Sequence, residues 1–338
     1  MGGPVGVRAG QARPDRPRPG GGAARDGERG GLRALPARES RVPELAMIEA
    51  PSALGLRPGG VEDLPAALLD AGLRDLPGAV PFGRVEAPAY DPERDPETGI
   101  LNGGGIARYS AALADVVGAA LARGRFPVVL GGDCSILLGN LLALRRRGRH
   151  GLLFVDGHTD FYQPAAEPTG EAASMDLALA TGHGPRVLSD IEGRGPLVHD
   201  EDVVAFGFRD SAESAEAGMQ PLPPRLRAID LGEVRAAGAA VTARRAVDWL
   251  CAGPGSGYWI HLDVDVLDDA VMPAVDYRLP DGLTWSELET VLRTAMSSGH
   301  AVGLDVTIFN PRLDPDRLFA VRLAECLGHG LSVLTGRV

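Results

Sequence analysis

Short apolar runs recur along this chain, and several end abruptly in glycine and aspartate. Phe126-Pro127-Val128-Val129-Leu130 runs into Gly131-Gly132-Asp133-Cys134-Ser135, and Leu152–Val155 runs into Asp156-Gly157-His158-Thr159-Asp160. Tyr258–Leu262 runs into Asp263-Val264-Asp265. Further strands are predicted at Leu45–Pro51, at 203–207 and at Ala301–Val306. Between them, Ile106–Arg123, Ile136–Arg147, Arg244–Cys251 and Trp285–Ser298 space Ala, Leu and Val as helices do. Apolar strands alternating with helices predict an α/β fold, a mostly parallel sheet covered on both faces. No internal repeat or linker interrupts residues 43–338, which are therefore read as one domain. Residues 1–42 are rich in Gly, Pro and Arg without aliphatic periodicity, and are predicted to be a disordered extension.

The polar residues after the strands carry the chemistry. Successive side chains on a strand point to opposite faces, so Asp156, His158 and Asp160 share one face if the segment stays extended, as do Asp263 and Asp265. Clustered carboxylates repel unless cations lie between them. A single aspartate at a strand end is usually a turn or cap residue; two separated clusters argue for two divalent metals. Oxygen-rich sites with imidazole favour manganese over zinc or iron. Two such ions can share a bridging water and present hydroxide near neutral pH, which points to hydrolysis.

A net charge of −11 and a pI near 5.2 argue against nucleic acid and anionic membrane as partners. All 34 basic residues are arginine, which is read as coding bias. Cys134, Cys251 and Cys326 are too scattered for a disulfide framework, so a cytoplasmic location is expected. No apolar run of membrane-spanning length and no secretory leader is expected.

The ordered motifs resemble the ureohydrolase family of arginases, agmatinases and formiminoglutamases over roughly residues 45–335. Gly131–Ser135 is similar to a family Gly-Gly-Asp-His-Ser motif, Asp156–Asp160 to Asp-Ala-His-x-Asp, and His261–Asp268 to Ser-x-Asp-x-Asp-x-x-Asp. Leu304-Asp305 with Asn310-Pro311 is similar to the last motif. The resemblance implies a three-layer α/β/α arginase-like fold and a manganese pair held by Asp156, His158, Asp160, Asp263 and Asp265. It also implies that Asp160 orients the hydroxide and passes on its proton. The expected partner is a small-molecule substrate, and the expected assembly a homo-oligomer.

Departures from the family pattern narrow the reading. The first metal-binding histidine falls on Cys134, whose thiolate shifts preference toward zinc or iron; a buried structural thiol is the alternative. The glutamate that holds a guanidinium falls on Ile308, which cannot form paired charged hydrogen bonds. The proton-shuttling histidine falls on or near Asp176, with His183 a nearby substitute. Tyr162 stands where an asparagine reads a substrate carboxylate, and Asp276 and Arg278 offer an amine partner and a carboxylate clamp. Two readings follow. One is a binuclear metal hydrolase of linear C–N bonds acting on a guanidino, amidino or modified-guanidine compound. The other is a catalytically silent protein of the same fold with a binding or assembly role.

Overall fold

Eight strands among the described residues pair in one sheet, every neighbouring pair parallel. They are β1 (Leu45–Glu49), β2 (Ala79–Arg84), β3 (Phe126–Leu130), β4 (Gly151–Val155), β5 (Val203–Phe206), β6 (Arg227–Ile229), β7 (Tyr258–Asp263) and β8 (Ala301–Thr307). Their order across the sheet is β2-β1-β3-β8-β7-β4-β5-β6. This computed structural model describes Gly2 and residues 43–336; apart from Gly2, the predicted extension at 1–42 lies outside the described residues.

The period of two along each strand divides the core. Val128, Leu153, Ile260 and Leu304 pack with the helices Ala239–Ala252, Trp285–Ser297 and Leu318–Thr335. Val129, Phe154 and Trp259 pack with Gly103–Ala122, Leu137–Arg145 and Asp176–Ala180. Both sheet faces are thus covered by helices, which gives the expected three layers and explains why the central strands read as continuous apolar runs.

The edge strands β2 and β6 lack that signature because they are only partly buried. The helix Leu318–Thr335 is masked in sequence by Gly328 and Gly330; a Cβ at Gly330 would lie 3.0 Å from Leu292 Cβ, so the glycine permits close helix packing. The expectation that no apolar segment reaches membrane-spanning length is corrected by Gly103–Ala122 and Leu318–Thr335, whose mean hydropathies are 1.2 and 1.3. Each inserts a stripe into the core, Ile106, Leu113 and Val117 in the first and Leu323, Leu327 and Leu331 in the second.

Strand order positions the site. The chain passes from β3 to β4 leaving a gap, and β7 and β8 later fill it. The carboxyl ends of β3, β8, β7 and β4 therefore stand side by side, where α/β sheets open a ligand crevice. The loop after β3 is sewn down: Asp133 N donates to Ser52 O at 3.0 Å, and Ser52 Oγ donates to Asp133 Oδ2 at 2.8 Å. A Cβ on Gly132 would fall 1.8 Å from Ser52 O, so this position tolerates only glycine. Asp133 Oδ1 accepts from Ser135 N at 2.9 Å and caps the turn that presents Cys134.

Candidate metal centre

The acidic residues converge, though not by strand alternation. β4 ends at Val155, and residues 156–160 form a loop. His158 N donates to Asp156 Oδ1 at 2.6 Å, and Asp160 adopts a left-handed φ of 44°. Asp263 closes β7, and its Oδ1 accepts from Asp265 N at 2.8 Å, so Asp265 lies in the turn beyond the strand. Side-chain-to-backbone turns, which compete with regular structure, replace the extended geometry read from the sequence. Gly157 N donates to Asp265 Oδ1 at 3.1 Å and ties the two loops together. His158 Nδ1 then stands 3.0 Å from Asp265 Oδ2, and Cys134 Sγ stands 2.9 Å from Asp263 Oδ2.

Two overlapping sets of candidate ligands result, Asp156/His158/Asp265 and Cys134/Asp156/Asp263, each with its donor atoms within 4.8 Å of one another. Burial, then the Asp265 charge, pushes Asp156 up to about 6. Burial, then neighbouring carboxylates, likewise raises Asp160 and Asp263 well above the usual range. Burial raises Cys134, and Asp263 adds to the effect. Burial alone would raise Asp265, but the His158 imidazolium overcomes it and holds Asp265 low. Asp156 Oδ2 is buried without any hydrogen-bond partner. Hard oxygens, an imidazole and an orphaned carboxylate oxygen fit divalent cations.

A pH dependence follows for metal-free protein. Asp156 ordinarily titrates at 3.8 and in the fold near 6, so the native state keeps a proton that the unfolded chain has lost. Its contribution to stability is complete below about pH 4 and disappears as pH rises through 6. Asp160 and Asp263 act in the same direction; Asp265 opposes them. Metal-free protein should be less stable at pH 7 than at pH 5, by on the order of 1 kcal/mol from Asp156 alone. Denaturant melts in chelator at the two pH values check this, and saturating divalent metal should abolish the difference. Greater stability of the metal-free form at pH 7 would contradict it.

Above these groups lies a cavity of about 290 Å³. Cys134, His158, Asp160, Asp263 and Asp265 line it, with Tyr162, Tyr277 and Ile308 as walls. Asp210 and Glu213 add acidic groups, and Asp210 Oδ1 has no hydrogen-bond partner. Several expected site residues stand elsewhere. Asp276 is exposed and accepts from Asn310 Nδ2 at 2.7 Å, and Arg278 turns to Asp269, 3.4 Å away. The loop residue that faces the cavity is Tyr277, whose hydroxyl donates to Glu171 at 2.6 Å. His183 Nε2 is 3.1 Å from Asp200, and the residue does not line the cavity. Asp176 is fully buried beneath the cavity, and Ala173 and Ser174 are the residues of that segment that line it.

Residues overlooked in the sequence include Arg209, which donates to the carbonyls of Asp265 at 3.0 Å and Leu279 at 2.7 Å and so anchors the loop after β7. His261 and Asp305 form a buried pair, Nδ1 to Oδ2 2.6 Å. A usable signal existed: each is the polar residue inside an otherwise apolar central strand, and the two are register partners.

Comparison with known proteins gives a consistent result. The family model described as Arginase family matches residues 82–329. An arginase of Staphylococcus aureus is 26% identical over 298 residues, 86% of this chain and 97% of that protein. An arginase of Brevibacillus brevis is 30% identical over 218 residues, 64% of this chain and 71% of that protein. Among solved structures, the arginase of Bacillus caldovelox superposes with a TM-score of 0.76 at 24% identity, over 86% of this chain and 98% of that one. Formimidoylglutamase of Bacillus subtilis does so with 0.68 at 16%, over 87% and 88%; likeness at these identities speaks for the fold alone.

Proposed function

The chain belongs to the arginase family, and on that footing we propose that it is a divalent-metal-dependent hydrolase of linear C–N bonds. Its substrate is a guanidino, amidino or modified-guanidine small molecule, in which water replaces one C–N bond, releasing urea or a urea derivative and leaving the other fragment as an amine. The observation that carries this reading is the convergence of His158, Asp263 and Asp265 at the floor of one cavity, over the fully buried Asp156, whose Oδ2 is left without a partner. When bound, a manganese pair, or zinc or iron on the Cys134 side, supplies Lewis acidity and lowers the pKa of water at the site.

The remaining roles belong to the chain. Asp160, 8% exposed and facing the cavity, accepts the proton of the attacking water. It then returns that proton to the departing nitrogen, which is too basic to leave as an anion. Asp210 and Glu213 make the wall acidic and favour a cationic substrate. Tyr162 and Tyr277 offer ring faces to a planar amidinium and exclude water around it.

A catalytically silent binding role is the second reading, and the apolar Ile308 in the cavity wall favours it. A panel of guanidino and amidino compounds incubated with manganese-loaded full-length protein separates the two by release of urea or ammonia. Turnover of at least one cationic member is expected. Metal-loaded protein that binds such compounds without turnover would favour the silent role.

A further inference from the structure

Below the cavity floor, Asp176 and His261 pack against Asp156, and the proposed reaction gives neither of the two a role. Both carboxylate oxygens of Asp176, Nε2 of His261 and Oδ2 of Asp156 are buried without a hydrogen-bond partner. All three residues are 0% exposed. His261 Nε2 stands 3.9 Å from Asp156 Oδ2 and 3.9 Å from Asp176 Oδ2. Cys134, Asp176 and His261 each bring a donor atom within 4.8 Å of the other two.

We infer that Cys134, Asp176 and His261, with Asp156 as a shared fourth ligand, form a site for a borderline-soft divalent cation such as zinc. The other side of His261 supplies independent support. Its Nδ1 lies 2.6 Å from Asp305 Oδ2, while Asp305 Oδ1 accepts from Asn140 Nδ2 at 3.0 Å and from Trp259 Nε1. Asp305 thus fixes Nδ1 as the protonated nitrogen and leaves the Nε2 lone pair facing two carboxylates. Metal-ligating histidines are held in this way, the second nitrogen donating to a carboxylate. Phe154 stacks on the ring at 4.8 Å and 18° and sets its plane.

Distances decide between a proton and a metal. A proton on Nε2 would need an oxygen within about 2.7–3.2 Å, and both oxygens stand beyond that. Four ligands around zinc, with bonds of roughly 2.0–2.3 Å, lie about 3.3–3.8 Å apart, close to the observed spacing. The donor types agree: thiolate, imidazole and carboxylate suit zinc better than manganese. The chain has therefore moved the metal on the Cys134 side one layer inward, onto β7 and the start of the helix Asp176–Ala180. This deepens the proposed function, on which it rests only through the shared Asp156.

The test uses full-length protein loaded with cobalt(II) as a spectroscopic stand-in for zinc. Wild type should show a thiolate-to-cobalt charge-transfer band in the near ultraviolet. His261→Ala and Asp176→Asn should each lose that band and one equivalent of bound metal, with zinc affinity at this site at least ~10-fold weaker. His158→Ala should keep the band. A band retained in both His261→Ala and Asp176→Asn overturns the assignment, as does its absence from wild type. If the variants do not fold, X-ray absorption of wild type loaded with one equivalent of zinc decides: a shell with both a sulfur and an imidazole nitrogen supports the site, and a shell lacking either overturns it. Failure of the hydrolase reading would leave the band in place. Failure of this site would leave metal at Asp156, His158 and Asp265.

Discussion

Asp263→Ala is expected to cost the chain at least one of its bound metals and to reduce any hydrolytic rate on the order of 1000-fold or more. Two effects combine. The substitution removes a carboxylate 2.9 Å from Cys134 Sγ, and it removes the acceptor that Asp265 N uses to form its turn. Asp265 is then no longer aimed at His158, whose Nδ1 it meets at 3.0 Å. Elemental analysis of dialysed protein, together with rate measurements on any substrate found, tests this. An Asp263→Ala protein with full metal content and full rate would show that the acidic loops do not form one site.

Unmodified L-arginine is expected to be at best a poor substrate. Ile308 lines the cavity, is 3% exposed, and has a left-handed φ of 68° that fixes an apolar side chain at the wall. Family resemblance places there the glutamate that holds a guanidinium. Loss of a charged hydrogen-bond pair in a dry site costs about 2–4 kcal/mol, or roughly 30- to 1000-fold in kcat/KM. Arg278 does not rescue carboxylate recognition, since it is turned to Asp269 outside the cavity. Urea release from arginine should therefore trail that from smaller or modified amidines by that factor. Efficient turnover of arginine at ordinary cellular concentrations would mean that another group takes the role of the missing glutamate.

The fold was legible where burial was two-sided. β3, β4, β7 and β8 are central, so their apolar runs and the motifs after them stand out in the sequence. β2 and β6 lie at the edges, where partial burial leaves no clear pattern. The metal-centre residues were legible as a set because carboxylates at strand ends are costly without a counter-charge. Their geometry was not, because turns after Val155 and Asp263 override the strand period. The direction of the loop after β7 was not legible: Tyr277 faces the cavity, while Asp276 and Arg278 find partners outside it. His183 was drawn off by Asp200, a contact seventeen residues away in sequence that local reading does not capture. His261 and Asp305 became informative only as a pair, once β7 and β8 were seen to be neighbours in register.

The central claim is that the clustered carboxylates exist to hold divalent cations. Equilibrium dialysis of metal-stripped full-length protein against manganese and against zinc, followed by elemental analysis, tests it most directly. The account predicts about two tightly held ions per chain, as expected for a binuclear hydrolytic site. Protein that folds, keeps its cavity and retains no divalent metal at saturation would contradict it.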